Sequence, residues 1–216
     1  MKFYRTDSLP GDRKDTAVLY IHGMGGSADE AEYYVTLFPG CNVTGLDYRT
    51  FTPWETGAEI NKAISTLKTD YNRVYLIANS IGAFFSMNAD IEDDLDHAWF
   101  ISPIVDMEKL IMGMMAQTGV SEQELQEKGT IRTAAGPDLS WEYLSYVRTH
   151  PIGWNVPTDV LYGSRDGLTS IETIKAFVRI RCATLTDMEG GEHWFHTAEQ
   201  MRFLDRWIKE TTGETL

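Results

Sequence analysis

At Ala78-Asn79-Ser80-Ile81-Gly82 a serine stands between two small residues, each two positions away, where one backbone periodicity gives way to another. Before it runs Arg73-Val74-Tyr75-Leu76-Ile77, an apolar stretch suited to a strand buried on both faces. After it, Ala83-Phe84-Phe85-Ser86-Met87-Asn88-Ala89 reads as a helix. A chain that passes from strand to helix in so few residues needs small side chains on both sides of the turn. A bulky residue at position 78 or 82 would strike the neighbouring strand and helix. The central residue is then held in a strained conformation with its side chain lifted above the sheet. The helix behind Ser80 aims backbone N–H groups at negative charge forming near its hydroxyl. Such small-x-Ser-x-Gly strings recur by chance, so the weight falls on what surrounds this one.

The surroundings alternate strand and helix, the pattern of a mostly parallel sheet with helices on both faces. Strands are expected at residues 2–6, 17–21, 42–46, 73–78, 97–102, 158–162 and 183–187, and helices near 28–38, 55–69, 82–89, 168–178 and 197–211. One interval breaks the rhythm. After Ile101-Ser102-Pro103 about fifty residues pass before the next strand, more than a crossover helix needs. The expectation is a small helical cap inserted over the serine at approximately 104–156. Its Met107-Glu108-Lys109-Leu110-Ile111-Met112-Gly113-Met114-Met115 run carries adaptable unbranched side chains. Leu125, Leu139, Trp141, Tyr143, Leu144, Tyr146 and Trp154 add apolar and aromatic surface. These residues either hold the cap to the core or line an acyl pocket, and a cap with an inside face allows both.

A nucleophilic serine needs a base, an acid to orient that base, and donors for an oxyanion. Upstream, Ala17-Val18-Leu19-Tyr20-Ile21 ends in His22-Gly23-Met24-Gly25-Gly26, a glycine-rich loop that lets the backbone approach a ligand. The N–H groups of Met24 and Ile81 can form the oxyanion hole. Downstream, the strand at Val160-Leu161-Tyr162 runs into Gly163-Ser164-Arg165-Asp166, leaving Asp166 at its carboxyl end. Glu189-Gly190-Gly191-Glu192-His193 then places His193 on a loop ahead of the last helix. In open α/β sheets the carboxyl ends of the strands are where active sites gather.

With those residues in view, the chain resembles the α/β-hydrolase family over nearly its whole length, in the order His22-Gly23 loop, Ser80 elbow, Asp166, His193. The departure is Ala78 where the motif usually has glycine, and alanine is still small. The resemblance implies an α/β-hydrolase fold and a serine hydrolase of the carboxylesterase or lipase kind. Ser80 is then the nucleophile, His193 the base and Asp166 the acid, with the amides of Met24 and Ile81 holding the oxyanion. His196 competes with His193 but falls at the helix start. Asp106, after the preceding strand, is a rival to Asp166, and Asp187 comes third. His22 reads as a support of its loop, and His97 and His150 as structural or solvated. The expected substrate is a small-molecule carboxylic ester of small or medium acyl chain, although thioesters, amides and peptides suit the same triad. No cofactor and no metal are called for.

Composition sets the partners. A net charge of −13 argues against nucleic acid or an anionic membrane. No stretch approaches the roughly 20 apolar residues of a spanning helix, no apolar signal core follows Met1, and a cytoplasmic location is expected. Cys41 and Cys182 read as inert, part-buried thiols. Oligomeric state is not legible. A reading from another class starts from Gly23-Met24-Gly25-Gly26-Ser27-Ala28, which fits a dinucleotide fingerprint, with Asp47 about 20 residues on as a ribose acceptor. The intervening His22 and the complete set of hydrolytic residues weigh against that oxidoreductase. The complete set also weighs against a catalytically silent binding protein of hydrolase fold.

Overall fold

In the computed structural model, which describes residues 1–4, 15–134 and 136–215, the strands are β1 (Lys2–Tyr4), β2 (Thr16–Ile21), β3 (Asn42–Leu46), β4 (Arg73–Asn79), β5 (His97–Ile101), β6 (Thr130–Ile131), β7 (Leu139–Ser140), β8 (Thr158–Gly163) and β9 (Ala183–Met188). The helices are α1 (Ala31–Tyr34), α2 (Pro53–Asp70), α3 (Ile81–Ser86), α4 (Met107–Thr118), α5 (Glu122–Lys128), α6 (Trp141–Thr149), α7 (Ile171–Ile180) and α8 (Ala198–Thr215). Two compact units result, one of residues 1–105 with 154–216 and one of Asp106–Gly153.

The first unit is built on a seven-stranded sheet in the order β1-β3-β2-β4-β5-β8-β9, parallel throughout except for β1 at the edge. Thr16–Ile21 is buried at every position, as a central strand covered on both faces must be. Alternate residues of the strands divide between the two faces. Val18, Tyr20, Val43, Tyr75, Ile77, Trp99 and Ile101 form one core with Phe38 of the segment after α1 and with Leu204, Trp207 and Ile208 of α8. The Trp99 ring meets Phe38 and Tyr75 edge-on, with centroids 5.1 and 5.7 Å away. Trp154 also lies in this unit: its ring is 5.4 Å from Phe100 and its indole N–H donates to Thr158 Oγ1 at 2.8 Å.

Local chemistry adjusts the predicted bounds. The strand expected at 2–6 is seen as Lys2–Tyr4, and Arg5 and Thr6 lie outside the described residues. The helix expected at 28–38 is instead a 3-10 turn, Ala28–Glu30, followed by the four residues of α1. Pro39 denies Phe38 a helical conformation. Past Tyr34 the N–H groups of Val35 and Leu37 reach back three residues, to Glu32 and Tyr34, and that of Phe38 four, to Tyr34. Pro53 opens α2 two residues early, at the position where a missing N–H costs nothing. Helix α7 begins late, at Ile171, capped by the Ser170 side chain on the Thr173 N–H.

In the second unit Met107, Ile111 and Met115, four residues apart, make the buried stripe of α4. Leu125, Leu139 and Leu144 are also buried. Asp106, Ser121 and Ser140 cap α4, α5 and α6 through their side-chain oxygens. Arg148 of α6 donates to Glu108 of α4 at 2.6 Å and to Glu122 of α5 at 2.7 Å, joining three helices through one guanidinium.

Candidate active site

Ser80 sits between β4 and α3 with φ 53° and ψ −120°, a left-handed backbone that a serine adopts only when its surroundings impose it. Those surroundings are specific. The Ser80 N–H donates to the Ile101 carbonyl at 3.0 Å, and the Ser80 carbonyl accepts from Ile104 at 3.1 Å and from Ala83 at 3.2 Å. Gly82 lies so close to β2 that an added Cβ would be 2.5 Å from the His22 carbonyl oxygen. Ala78 is fully buried between β2 and β5. The turn therefore rests on small residues on both sides.

The Ser80 Oγ is 2.8 Å from His193 Nε2, and His193 Nδ1 is 2.7 Å from Asp166 Oδ2. With Nδ1–H donating to the carboxylate, Nε2 is left as the acceptor for the serine O–H. The other Asp166 oxygen accepts the N–H groups of Leu168 at 2.7 Å and Thr169 at 3.1 Å. That use of residues 168 and 169 is also why the helix expected from 168 starts at 171. The Asp166 side chain is fully shielded from solvent, whereas the imidazole is 19% exposed. The carboxylate and the imidazole thus differ in access to water.

Two loops that carry Asp166 and His193 are tied to each other. Ser164 N–H donates to the Met188 carbonyl at 3.0 Å, Arg165 N–H to the Gly191 carbonyl at 2.8 Å, and Gly190 N–H to Ser164 Oγ at 2.7 Å. A Cβ on Gly163 would fall 2.5 Å from the Gly191 carbonyl carbon. Each side of this lock is a short local pattern, Gly163-Ser164 at the end of one strand and Gly190-Gly191 after the next. Their meeting depends on the β8–β9 pairing and not on any local pattern.

The loop after β2 lies against the serine. A Cβ on Gly23 would be 3.1 Å from Ser80 Cβ. The Gly23 carbonyl accepts from His22 Nδ1 at 2.8 Å and from the Gly26 N–H at 3.1 Å. Tyr48 fixes His22 in turn: the rings stack with centroids 4.0 Å apart, and the phenol donates to the His22 carbonyl at 2.7 Å. Ile81 is the first residue of α3, so its N–H has no partner within the helix.

The rival residues lie elsewhere. Asp106 caps α4, accepting the Lys109 N–H at 2.9 Å. Asp187 is exposed on β9, the edge strand. His196 stacks on Trp194 at 4.5 Å, with Nδ1 2.7 Å from the Trp194 carbonyl oxygen, just ahead of α8. His97 pairs with Asp159 at 2.9 Å, and His150 Nδ1 sits at the Tyr146 carbonyl. The Gly23–Ala28 fingerprint opens a three-residue 3-10 turn and a four-residue helix, too short to present a dipole to a pyrophosphate. Cys41 is buried and Cys182 exposed, and neither forms a disulfide. Among the described residues no group of three or more His, Cys, Asp or Glu is placed to hold a metal ion, and no helix is long and apolar enough to cross a membrane.

No protein-family model and no curated protein matches the sequence. Solved structures do match its backbone. Est1E from Butyrivibrio proteoclasticus, determined with ferulic acid bound, is 17% identical with a TM-score of 0.73, over 95% of this chain and 91% of that one. Mouse alpha/beta hydrolase domain-containing protein 10 is 14% identical with a TM-score of 0.70, over 98% of this chain and 93% of that one. A Pyrococcus furiosus esterase, PF2001, is 17% identical with a TM-score of 0.63, over 94% and 82%. The chain has the α/β-hydrolase fold.

Proposed function

We propose that this α/β-hydrolase-fold chain is a serine hydrolase that cleaves carboxylic esters of small or medium acyl chains through an acyl-enzyme. The observation that carries the reading is the unbroken series Ser80 Oγ, His193 Nε2, His193 Nδ1, Asp166 Oδ2, with contacts of 2.8 and 2.7 Å on a strained serine.

Ser80 Oγ bonds to the acyl carbon as its proton passes to His193 Nε2. The carbonyl π pair moves onto oxygen, and the N–H groups of Met24 and Ile81 hold the charge. Collapse of the tetrahedral adduct expels the alcohol, which leaves with the proton from Nε2. Water then gives a proton to Nε2 and adds to the acyl carbon, and the second collapse returns that proton to Ser80 Oγ. Throughout, Asp166 holds the imidazole in the Nδ1–H tautomer and stabilises its transient positive charge.

The preference for an apolar acyl group draws on the loops at the carboxyl ends of the strands. Met24 after β2, Phe51 after β3, Leu168 after β8 and Trp194 after β9 are large hydrophobic side chains left exposed. Leu168 is two residues from Asp166 and Trp194 is next to His193, and exposed apolar side chains beside polar groups suit an apolar ligand. One structural neighbour is an esterase and another was determined with ferulic acid bound, which supports the same reading.

The test is hydrolysis of a p-nitrophenyl ester series from acetate to decanoate. Wild type is expected to turn over the shorter members, and Ser80→Ala to lose at least about 10³-fold in kcat while remaining folded. Wild-type turnover by Ser80→Ala would overturn the reading.

A further inference from the structure

We propose that Glu30 is a positioning residue for the oxyanion donor at Met24, an inference that rests on the serine-hydrolase reading. Its sequence signature, Ser27-Ala28-Asp29-Glu30, is that of a capping box, and both halves of the box are formed. The element it caps is only a three-residue turn, so capping alone gives the carboxylate little to do. Its surroundings give it more. Glu30 Oε1 accepts the Ser27 N–H at 3.2 Å, and Oε2 accepts the hydroxyl of Tyr20. Gly26 backs directly onto the same carboxylate: a Cβ there would be 2.6 Å from Oε1 and 3.0 Å from His22 Cβ.

Gly26 matters because its N–H is one of two donors to the Gly23 carbonyl, the other being His22 Nδ1. The described chain has no cis peptide, and in a trans peptide the N–H points opposite to the carbonyl of the same unit. Fixing the Gly23 carbonyl from one side therefore fixes the Met24 N–H toward the other. Gly25, at φ 76°, is the residue about which this turn would otherwise swing. The carboxylate that seats Gly26 and Ser27 is in this way coupled to the direction of the Met24 N–H, although it touches neither substrate nor nucleophile.

The anchor behind Glu30 is rigid. Tyr20 lies on β2, is 1% exposed, and its ring packs 5.2 Å from Tyr34. Burial first, and then the neighbouring Tyr34 and Glu30, push its phenol well above the ordinary range, so it stays protonated and donates at any working pH. The bond from Tyr20 to Glu30 thus ties the turn that carries Met24 to β2.

The experiment compares wild type with Glu30→Ala, Glu30→Gln and Tyr20→Phe. It reads kcat and KM on a p-nitrophenyl ester and inhibition by a boronic acid, whose tetrahedral adduct on Ser80 places an oxygen where the oxyanion forms. A whole oxyanion donor is worth ~10²–10³ in kcat, so its misalignment in Glu30→Ala should cost about 10–100-fold. KM should stay within about twofold, and boronate affinity should fall by the same factor as kcat. Glu30→Gln should recover most of the loss, because its amide oxygen still accepts from Ser27 and its NH2 can donate to Tyr20. A folded Glu30→Ala with wild-type kcat overturns the assignment, as does a loss confined to KM or one that Glu30→Gln shares in full. If Glu30→Ala does not fold, Tyr20→Phe carries the test: kcat and boronate affinity should drop together by about fivefold, the equivalent of one hydrogen bond, and no change overturns it. Fluorophosphonate labelling of wild type separates the two levels. Without an adduct on Ser80 the serine-hydrolase reading falls and takes Glu30 with it, whereas labelled wild type beside an unimpaired Glu30→Ala removes Glu30 alone.

Discussion

The Arg165 N–H donates to the Gly191 carbonyl at 2.8 Å, so the residue before Asp166 is bonded to a residue two before His193. Asp166 and His193 come from different loops, and this backbone bond, with that of Ser164 to Met188 and the Gly190 N–H on Ser164 Oγ, sets the separation of the loops. Gly163 and Gly191 make the approach possible by lacking side chains.

Gly163→Ala is expected to force the loops apart, since its Cβ would stand 2.5 Å from the backbone of Gly191. A displacement near 1 Å between catalytic groups costs on the order of 10²-fold. Steady-state kinetics should show the loss in kcat, and thermal denaturation a lowered Tm, with the protein still folded at 25 °C.

Asp166→Asn should reduce kcat by about 10³–10⁴-fold, because an amide cannot hold His193 in the Nδ1–H tautomer. Asp106→Asn should stay within about threefold of wild type, since asparagine also caps a helix well and Asp106 bonds to Lys109 at the start of α4. Kinetics of the two variants side by side choose between the carboxylates.

Ser80→Gly should be inactive but more stable. Glycine takes φ 53° without steric cost, and relief of such strain is worth about 1 kcal/mol or more. For a chain of this size that is a rise of about 2–4 °C in Tm. A fall in Tm would show that the Ser80–His193 bond outweighs the strain.

At the opposite ends of the strands, His97 Nε2 is 2.9 Å from Asp159 Oδ2, and Thr184 donates to the other oxygen. Burial pushes the Asp159 carboxyl up, but the hydrogen bonds from His97 and Thr184 outweigh it and hold the group below its ordinary range. A carboxyl depressed in the folded state stabilises above the unfolded value, about 3.9, and that contribution is lost as pH falls through the lower folded value. Asp159→Asn should therefore be less stable at pH 7, by about 1–3 kcal/mol for a charge-assisted bond. The gap in denaturant midpoint should close below about pH 4. A gap that persists unchanged to pH 2 would contradict it.

What the sequence made legible was local. Ser80 announced itself because its small neighbours are adjacent in the chain, and Asp166 and His193 because each follows the carboxyl end of a strand. The preference for Asp166 over Asp106 rested on the Gly163-Ser164-Arg165-Asp166-Gly167 turn after a strand, whereas the N-cap position of Asp106, just before an apolar helical run, was a signal that the sequence reading left unused. The Gly163–Gly191 contact, the stacking of His22 on Tyr48 and the grip of Tyr20 on Glu30 were not legible. Each joins residues from different strands or loops, and only sheet order brings them together.

The central claim is that Ser80 is an activated nucleophile. The most direct measurement is intact-mass and peptide mapping after treatment with a fluorophosphonate, on wild type, Ser80→Ala and His193→Ala. One adduct per wild-type chain is expected, located on Ser80, absent from Ser80→Ala and formed far more slowly in His193→Ala. An adduct on another residue, or none on a folded wild type, would contradict it.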